Sequence, residues 1–325
     1  MAVHAVPLPG PIARLDTGRQ APCPSDSAAL RKTPVIVQLQ DGRRLRVALT
    51  GAKLALQPIP PCAESQDGKR AGLLSGTRPQ RGSGELREVW LAEPTRIYPH
   101  DIFARPGNAA SVRAVTADGR ELRYAAPPGA VIEDRLPRLA HAWGHDVALT
   151  VQSSTQDGAA VVVLGVSGDR LRQIAASEPI GTPRRWLNPI GVADFAGNGI
   201  QEVAAVITPH MGGWLAIYRR DGDRLSVVDR MPGFSNHAIG TDEVRLAAML
   251  DTNGDGVVDL AVPSADRRTL RVVTFAGGEF RELQRIGHSA AIGSAVIAAD
   301  LDGDGRQELV YALADGLLVV LTAPH

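Results

Sequence analysis

An internal repeat in the C-terminal half is the feature that most limits how this chain can fold. Three copies each lead from a short apolar segment into an acidic turn and then into two further apolar segments. The turns begin at Asp194, Asp251 and Asp300, which places them roughly 50 residues apart. Each apolar segment has strand length, and none shows a helical period. The pattern therefore predicts an all-β fold built from repeated strand units.

The units have the size of β-propeller blades. The repeats predict strands at Asp146–Gln152, Ala160–Val166, Glu202–Thr208, Trp214–Arg219, Arg245–Leu250, Asp259–Ser264, Thr269–Phe275, Ala295–Ala299, Glu308–Ala314 and Leu317–Thr322. A period of about 50 residues with four strands per unit is typical of a propeller. A content of 34 Gly and 23 Pro fits the many turns. We expect about five blades, with six or seven left open because residues 34–137 repeat poorly.

The last copy provides three strands, so its sheet needs a fourth strand from elsewhere. An unpaired sheet edge would otherwise be open to aggregation. The sequence predicts that an N-terminal strand closes the ring, with Val35–Gln40 or Arg44–Thr50 as the donor.

The chain divides by composition into a lead-in and a propeller. Residues 1–33 are predicted to be irregular, and the propeller is expected to span 34–325. Within it, 58–84 is rich in Pro, Gly, Ser and basic residues, which predicts a long surface loop or a disordered insert. The clear repeats occupy 138–325.

Two of the acidic turns carry side-chain oxygens at loop positions 1, 3, 5 and 9, with Gly at position 6. Hard cations such as Ca²⁺ take six to eight oxygen ligands, and position 7 adds a backbone carbonyl. Unlike an EF-hand loop, the turn has its last acid at position 9, at the start of a strand. The predicted Ca²⁺ ligands are Asp251, Asn253, Asp255, Val257 and Asp259 in one loop, and Asp300, Asp302, Asp304, Arg306 and Glu308 in the other.

The other copies depart from this pattern. The third loop keeps Asp194, Asn198 and Glu202 but has Ala196 at position 3, which predicts weak binding or none. The fourth, at 141–146, is shortened and lacks the acidic pattern. Its two histidines are more simply interpreted as solvated or locally hydrogen-bonded than as transition-metal ligands.

Residues 138–325 resemble the VCBS/FG-GAP repeat family, the calcium-loop propeller repeats also found in the head of integrin α-subunits. The Asp-x-Asp-x-Asp-Gly loops followed by an apolar strand carry the resemblance. It implies bound Ca²⁺ and a bacterial protein of exported type, with a periplasmic or extracellular location. The lead-in shows no evident signal peptide, because Pro7, Pro9 and Pro11 interrupt it and no basic region precedes them.

A second group of residues is predicted to line one mouth of the ring. Arg185, Trp186, His210 and His237 lie in loops between strands and are candidate ligand-binding residues. The alternative, which we favour, is that each histidine satisfies backbone groups in a long connection.

Net charge, apolar segments and cysteines bear on nucleic-acid binding, membrane spanning and disulfide formation. With 35 basic and 35 acidic residues, no net field favours nucleic acid. No apolar run reaches the ~18 residues that span a bilayer. Cys23 and Cys62 are consistent with either one disulfide or two unrelated thiols.

The sequence favours a non-enzymatic, Ca²⁺-binding propeller that acts as a recognition or scaffold module outside the cytoplasm. Its partner is expected to be a protein or glycan, which the sequence does not identify. The alternative is a hydrolase or lyase that uses the histidines at the mouth. No nucleophile motif supports the alternative, and we assign no catalytic residue.

Overall fold

The fold was analysed in a computed structural model that describes residues 1–17, 34–51, 53–60 and 70–322. These residues form 25 strands and no helix. The strands are β1 (Ala2–Pro7), β2 (Ile12–Thr17), β3 (Val35–Leu39), β4 (Arg44–Thr50), β5 (Lys53–Ile59), β6 (Gln80–Arg81), β7 (Leu86–Thr95), β8 (Asn108–Thr116), β9 (Glu121–Ala125), β10 (Ala130–Ile132), β11 (Arg138–Ala142), β12 (His145–Ser154), β13 (Gly158–Ser167), β14 (Arg170–Ser177), β15 (Leu187–Ala193), β16 (Glu202–Ile207), β17 (Trp214–Asp221), β18 (Arg224–Pro232), β19 (Ala248–Leu250), β20 (Asp259–Pro263), β21 (Thr269–Thr274), β22 (Arg281–Gly287), β23 (Ile297–Ala299), β24 (Glu308–Ala312) and β25 (Leu317–Thr322). The all-β prediction is confirmed.

The chain divides into two compact units. The first takes residues 1–66, 245–275 and 281–325. It contains three four-stranded antiparallel sheets, in the orders β2-β3-β4-β5, β19-β20-β21-β22 and β1-β25-β24-β23. One apolar core combines side chains of the β2–β5 sheet and the β23–β25 sheet, and another combines those of β19–β22 and β23–β25. Successive side chains of β24 and β25 point to opposite faces of their sheet, so this sheet contributes to both cores.

An N-terminal strand completes the last sheet, but it is not the predicted one. β1 runs antiparallel to β25, with Ala2 opposite Thr322 and Pro7 opposite Leu317. The predicted donors form β3 and β4, which pair with each other inside a separate sheet. The expectation of an irregular lead-in is therefore wrong for β1 and β2. The prolines that suggested it are compatible with an edge strand, which needs fewer N–H donors.

The second unit takes residues 67–244 and 276–280. Its strands belong to one hydrogen-bonded system that contains three antiparallel runs, β6–β9, β11–β14 and β15–β18. β10 pairs with both β8 and β12, and β14 meets β18 through two parallel residue pairs. One core lies among β7, β8, β12 and β13, and a second among β12, β13, β16 and β17.

The predicted insert at 58–84 includes the end of β5, at Ile59, and the short strand β6. Residues 61–69, including Cys62, lie outside the described part, as does Cys23. Leu73 bridges to Ala92, Leu74 is buried, and Gln80–Arg81 form β6. A buried leucine anchors 70–84 to the sheet, so for this stretch the structure fits the long-loop alternative and not the disordered one.

Four-stranded antiparallel groups recur along the chain, and most predicted strands match the observed ones within two residues. The predicted four-stranded units are confirmed. The number of blades stays a prediction. No described residue belongs to a helix of the length and apolarity needed to cross a membrane.

Candidate functional sites

The loop between β23 and β24 gathers three carboxylates. One ligand oxygen from each of Asp300, Asp302 and Asp304 lies within 4.8 Å of the others. The backbone holds this geometry, because Asp300 accepts the N–H of Gly303 at 2.6 Å and that of Gly305 at 3.2 Å. Both glycines have positive φ, of 84° and 91°, which side chains with a Cβ rarely adopt. The predicted positions 1, 3 and 5 are thus brought together.

Glu308, at position 9, closes the same loop from the start of β24. Its side chain is buried, and Oε2 accepts the N–H of Leu301 at 2.8 Å. Burial raises the pKa of Glu308 to about 7, and Asp302, Asp304 and Asp300 act in the same direction. The negative charges of Asp300, Asp302 and Asp304 therefore make ionisation of Glu308 less favourable. A bound cation would offset those charges.

The loop between β19 and β20 repeats the backbone hydrogen bonds of the 300 loop. Asp251 accepts the N–H groups of Gly254 at 2.7 Å and Gly256 at 2.9 Å. Asn253 Oδ1 accepts the N–H of Asp255 at 3.0 Å. The N–H of the residue at position 7 donates to the position-5 carboxylate at 2.8 Å in both loops, from Val257 to Asp255 and from Arg306 to Asp304. All ten predicted ligand residues therefore lie in two loops of the same construction.

Asp259 occupies position 9 of this loop and is fully buried. Its Oδ2 accepts the N–H of Thr252 at 3.0 Å. Oδ1 accepts no hydrogen bond from the part of the chain that the structure describes. Burial raises the pKa of Asp259, and Asp255 acts in the same direction, against hydrogen bonds from Thr252 and Thr274. A buried carboxylate oxygen without a donor is suited to a metal ion.

The third loop, between β15 and β16, keeps the bond from position 7 to position 5, from Ile200 N–H to Asn198 Oδ1 at 3.0 Å, but it has no side-chain oxygen at position 3. Asp194 accepts the N–H groups of Asn198 at 3.0 Å and Gly199 at 2.7 Å. Ala196 is buried, and its carbonyl accepts the N–H of Gly277 at 3.0 Å. Glu202 is paired with an arginine, Arg219, at 2.5 Å. The sequence reasoning identified the missing oxygen at position 3 and missed the arginine.

The fourth copy is a tight hairpin between β11 and β12. Trp143 and Gly144 form its two-residue turn with φ of 54° and 79°. His141 Nδ1 lies 3.0 Å from Asp146 Oδ1, so this histidine is bonded locally, as the sequence interpretation favoured.

In the second unit, three of the four predicted mouth residues form one cluster. His210 Nε2 lies 2.7 Å from His237 Nδ1, and His237 Nε2 lies 3.0 Å from the carbonyl of Thr241. A carbonyl only accepts, so His237 carries its proton on Nε2, and Nδ1 accepts from His210. The indole of Trp186 stacks on His210 with ring centroids 5.7 Å apart.

The cluster is mostly a buried one. Trp186 and His237 are buried, and Trp186 Nε1 donates to the carbonyl of Glu133 at 2.9 Å. Arg185 is half-buried and contributes its carbonyl to the N–H of Ala159. This geometry matches the favoured interpretation, in which the histidines satisfy groups inside a long connection.

Sequence reasoning considered His100 as a further mouth residue, but it did not single out Phe103, Glu133 or Arg135, which support this cluster. Phe103 packs edge-on against Trp186, with ring centroids 5.5 Å apart. The guanidinium of Arg135 lies 4.0 Å from the centre of the Phe103 ring. His100 Nδ1 lies 2.7 Å from Oε1 of the fully buried Glu133, whose Oε2 accepts from Ser153 at 2.5 Å. These residues lie largely outside the repeats, so the repeat pattern carried no signal for them.

Comparison with known proteins supports the repeat assignment for part of the chain. Residues 251–311 match the family model described as an FG-GAP-like repeat. The match begins at the first residue of one intact loop and ends within β24, so it contains both intact loops. The FG-GAP part of the sequence resemblance is confirmed for this stretch.

Full-length comparisons are more distant. No curated protein matches the chain. Two similar solved structures are crystal structures of BBS1N in complex with ARL6DN, one soaked with mercury and one with lead. Each is 10% identical over 99% of this chain and 96% of the other, with TM-scores of 0.47 and 0.43 respectively.

Proposed function

We propose that this protein is a non-enzymatic, Ca²⁺-binding β-propeller that serves as a recognition or scaffold module outside the cytoplasm. The observation that carries the proposal is the pair of loops at 251–259 and 300–308. Each ends in a buried acid whose pKa is raised, and the 300–308 loop also brings the carboxylates of Asp300, Asp302 and Asp304 together. An acidic turn without an ion would leave those charges uncompensated.

The donor set favours Ca²⁺ over other cations. All candidate ligands are oxygens, which excludes the thiolate and imidazole sets preferred by zinc and copper. The residues that would hold the ion supply four side-chain oxygens and one carbonyl per loop: Asp251, Asn253, Asp255, Val257 and Asp259, and Asp300, Asp302, Asp304, Arg306 and Glu308. Mg²⁺ requires stricter octahedral geometry and keeps more water.

The ion would stabilise the protein without taking part in a reaction. Both loops join neighbouring strands of four-stranded sheets in the first unit, so a bound ion would fix β19 to β20 and β23 to β24. Extracellular modules bind Ca²⁺ with dissociation constants near 10⁻⁴–10⁻³ M, which suits a periplasmic or extracellular location. A protein or a glycan is the proposed partner.

Thermal denaturation in Ca²⁺, in Mg²⁺ and in a chelator tests the proposal. An ion that binds the folded state alone contributes ~2.7 kcal/mol at a hundredfold excess over Kd. We expect Ca²⁺, and not Mg²⁺, to raise the melting temperature by several degrees. Asp302→Asn should reduce that shift, whereas Asp169→Asn, at an exposed turn, should keep it. A wild-type melting temperature that is the same in Ca²⁺ and in chelator would contradict the proposal.

The partner can be sought by affinity capture from surface extracts with and without chelator. A specific protein or glycan retained only with Ca²⁺ would support a recognition role. Its loss in the double variant His210→Ala, His237→Ala would assign that role to the histidine cluster. Unchanged affinity would remove the cluster from the binding surface.

A hydrolase or lyase is the second candidate, and one observation favours it. Buried Glu133 orients His100 through Nδ1, which leaves Nε2 available as a base. Arg184 and Thr208 have positive φ, of 56° and 48°, and such strain often occurs at functional sites. Assays with chromogenic glycosides and phosphate esters test this candidate. Turnover by the wild type that is lost in His100→Gln would establish the hydrolase or lyase function. We expect no turnover.

A further inference from the structure

We propose that Arg219 supplies, in the 194–202 loop, the positive charge that a divalent ion supplies in the other two loops. This inference rests on the proposed Ca²⁺ function of the intact loops. In this proposal the third loop folds with the Arg219 guanidinium as its cation and binds no metal ion. Arg219 thereby sets how many ions the chain binds.

The cross-strand register places the two groups together. Glu202 begins β16, directly opposite Arg219 on β17. Arg219 Nη2 donates to Glu202 Oε1 at 2.5 Å. The carboxylate is fully buried, whereas the arginine side chain is 39% exposed. The guanidinium therefore neutralises a buried acid while keeping part of its own hydration.

The other two repeats provide an internal comparison. Leu260 pairs with Val273, so the register sets Thr274 opposite Asp259. In the same way, Leu309 pairs with Leu321, which sets Thr322 opposite Glu308. A threonine hydroxyl donates a hydrogen bond and carries no charge. The arginine thus stands at the cross-strand position of the repeat that has lost an acidic ligand.

The charge balance of each loop agrees with this division. Residues 251–259 include three carboxylates and residues 300–308 include four, and the last acid of each loop has a neutral cross-strand neighbour. The 194 loop has only Asp194 and Glu202, and Arg219 offsets one of them. A net charge of about −1 attracts a divalent ion far less than −3 or −4 does.

Position 3 of the wild-type loop also supplies no ligand oxygen. Ala196 has no side-chain oxygen, it is buried, and its carbonyl is occupied by the N–H of Gly277. Glu202 Oε2 has no hydrogen-bond partner among the described residues. This free oxygen is the one that a restored loop would use.

Calcium titration of three proteins by calorimetry tests the inference. The wild type should bind one Ca²⁺ ion for each of the two intact loops. The double variant Ala196→Asp, Arg219→Thr should gain one further ion, because it reproduces the ligand pattern and the threonine of the intact loops. Ala196→Asp alone keeps the arginine and should not gain an ion.

The outcomes separate this inference from the proposed function. A wild type that binds no Ca²⁺ refutes the proposed function. A wild type that binds at all three loops overturns the role of Arg219. The role is also overturned by a folded double variant, as judged by circular dichroism, that gains no ion.

A measurement without calcium covers the case in which the double variant fails to fold. In chelator, Arg219→Met should lower the melting temperature because Glu202 loses its counter-charge. Glu202→Gln in the same background should recover part of the loss. Equal melting temperatures for wild type and Arg219→Met would overturn the assignment of Arg219 as the internal cation.

Discussion

Glu308 accepts the backbone N–H of Leu301 at 2.8 Å, which links the ninth position of the 300 loop to the second. This bond draws a buried carboxylate towards three other acids. The protein therefore keeps an acidic group where the charged form is costly, and the cost depends on pH and on cations.

Stability of the metal-free protein should fall as pH rises from about 4.5 to about 7. Glu308 has a pKa near 7 in the folded state, against an ordinary value of 4.5. Over that interval the unfolded chain releases a proton that the folded chain retains, so ionisation favours unfolding. Urea denaturation in chelator across this range measures the slope.

Glu308→Gln provides the control for this pH effect, because glutamine is uncharged at every pH. The variant should show a flatter profile and should lose the Ca²⁺ response of its loop. Saturating Ca²⁺ should likewise flatten the wild-type profile, since the ion stabilises the carboxylate. A wild-type slope equal to that of the variant would assign the pH dependence to other groups.

Deleting residues 2–7 should destabilise the last sheet and promote association. β1 contributes six residue pairs to β25, and Val6 packs against an apolar core. Removing β1 exposes the edge of β25, which then offers unpaired N–H and C=O groups to another chain. We expect a loss of at least about 2 kcal/mol in unfolding free energy, measured by denaturant titration, with oligomers in light scattering.

Val3→Lys is the matched control for the strand deletion. Val3 is 54% exposed, so the substitution keeps the backbone pairing and changes only a surface side chain. It should alter the unfolding free energy by no more than about 0.5 kcal/mol. A deleted protein that stays monomeric and equally stable would show that β1 is dispensable.

Two arginines that share Asp242 should differ sharply in their contribution to stability. Arg135 Nε lies 3.1 Å from Asp242 Oδ1, and its side chain is only 2% exposed. Arg105 Nη1 lies 2.5 Å from Asp242 Oδ2 and is 56% exposed. Arg135→Met should cost about 3–5 kcal/mol because buried partners lose their counter-charge. Arg105→Met should cost less than about 1 kcal/mol.

Denaturant unfolding of both variants at one pH and ionic strength measures the difference. Raising the salt concentration should weaken only the contribution of Arg105, since exposed pairs are screened and buried pairs much less. Equal losses in the two variants would refute the distinction based on burial.

Local patterns made the acidic loops and most strands predictable. Loops such as 300–308 are set by residues close in sequence, and strands such as β20 and β24 are short apolar segments between turns, so both signals are readable without tertiary contacts. Pairing between distant segments was harder to predict. β1 and β25 lie at opposite ends of the chain, and the prolines near β1 concealed its strand character.

The pairing of Glu202 with Arg219 was concealed in a different way. The connections after β16, β20 and β24 differ in length, so aligning the repeats does not place Arg219 beside Thr274 and Thr322. Only the cross-strand register brings these three positions into correspondence. The sequence therefore predicted which loop was defective without predicting what compensates for it.

His237→Ala should destabilise the protein by about 2–4 kcal/mol, because it opens a cavity and removes the hydrogen bonds to His210 and Thr241. His237 is fully buried between Phe103 and Trp186, with its centroid 5.4 Å and 5.0 Å from theirs. His145→Ala is the control, since His145 is exposed and should cost no more than about 0.5 kcal/mol. Thermal and urea unfolding measure both. A negligible loss at His237 would mean that this histidine is kept for ligand binding and contributes little to the core.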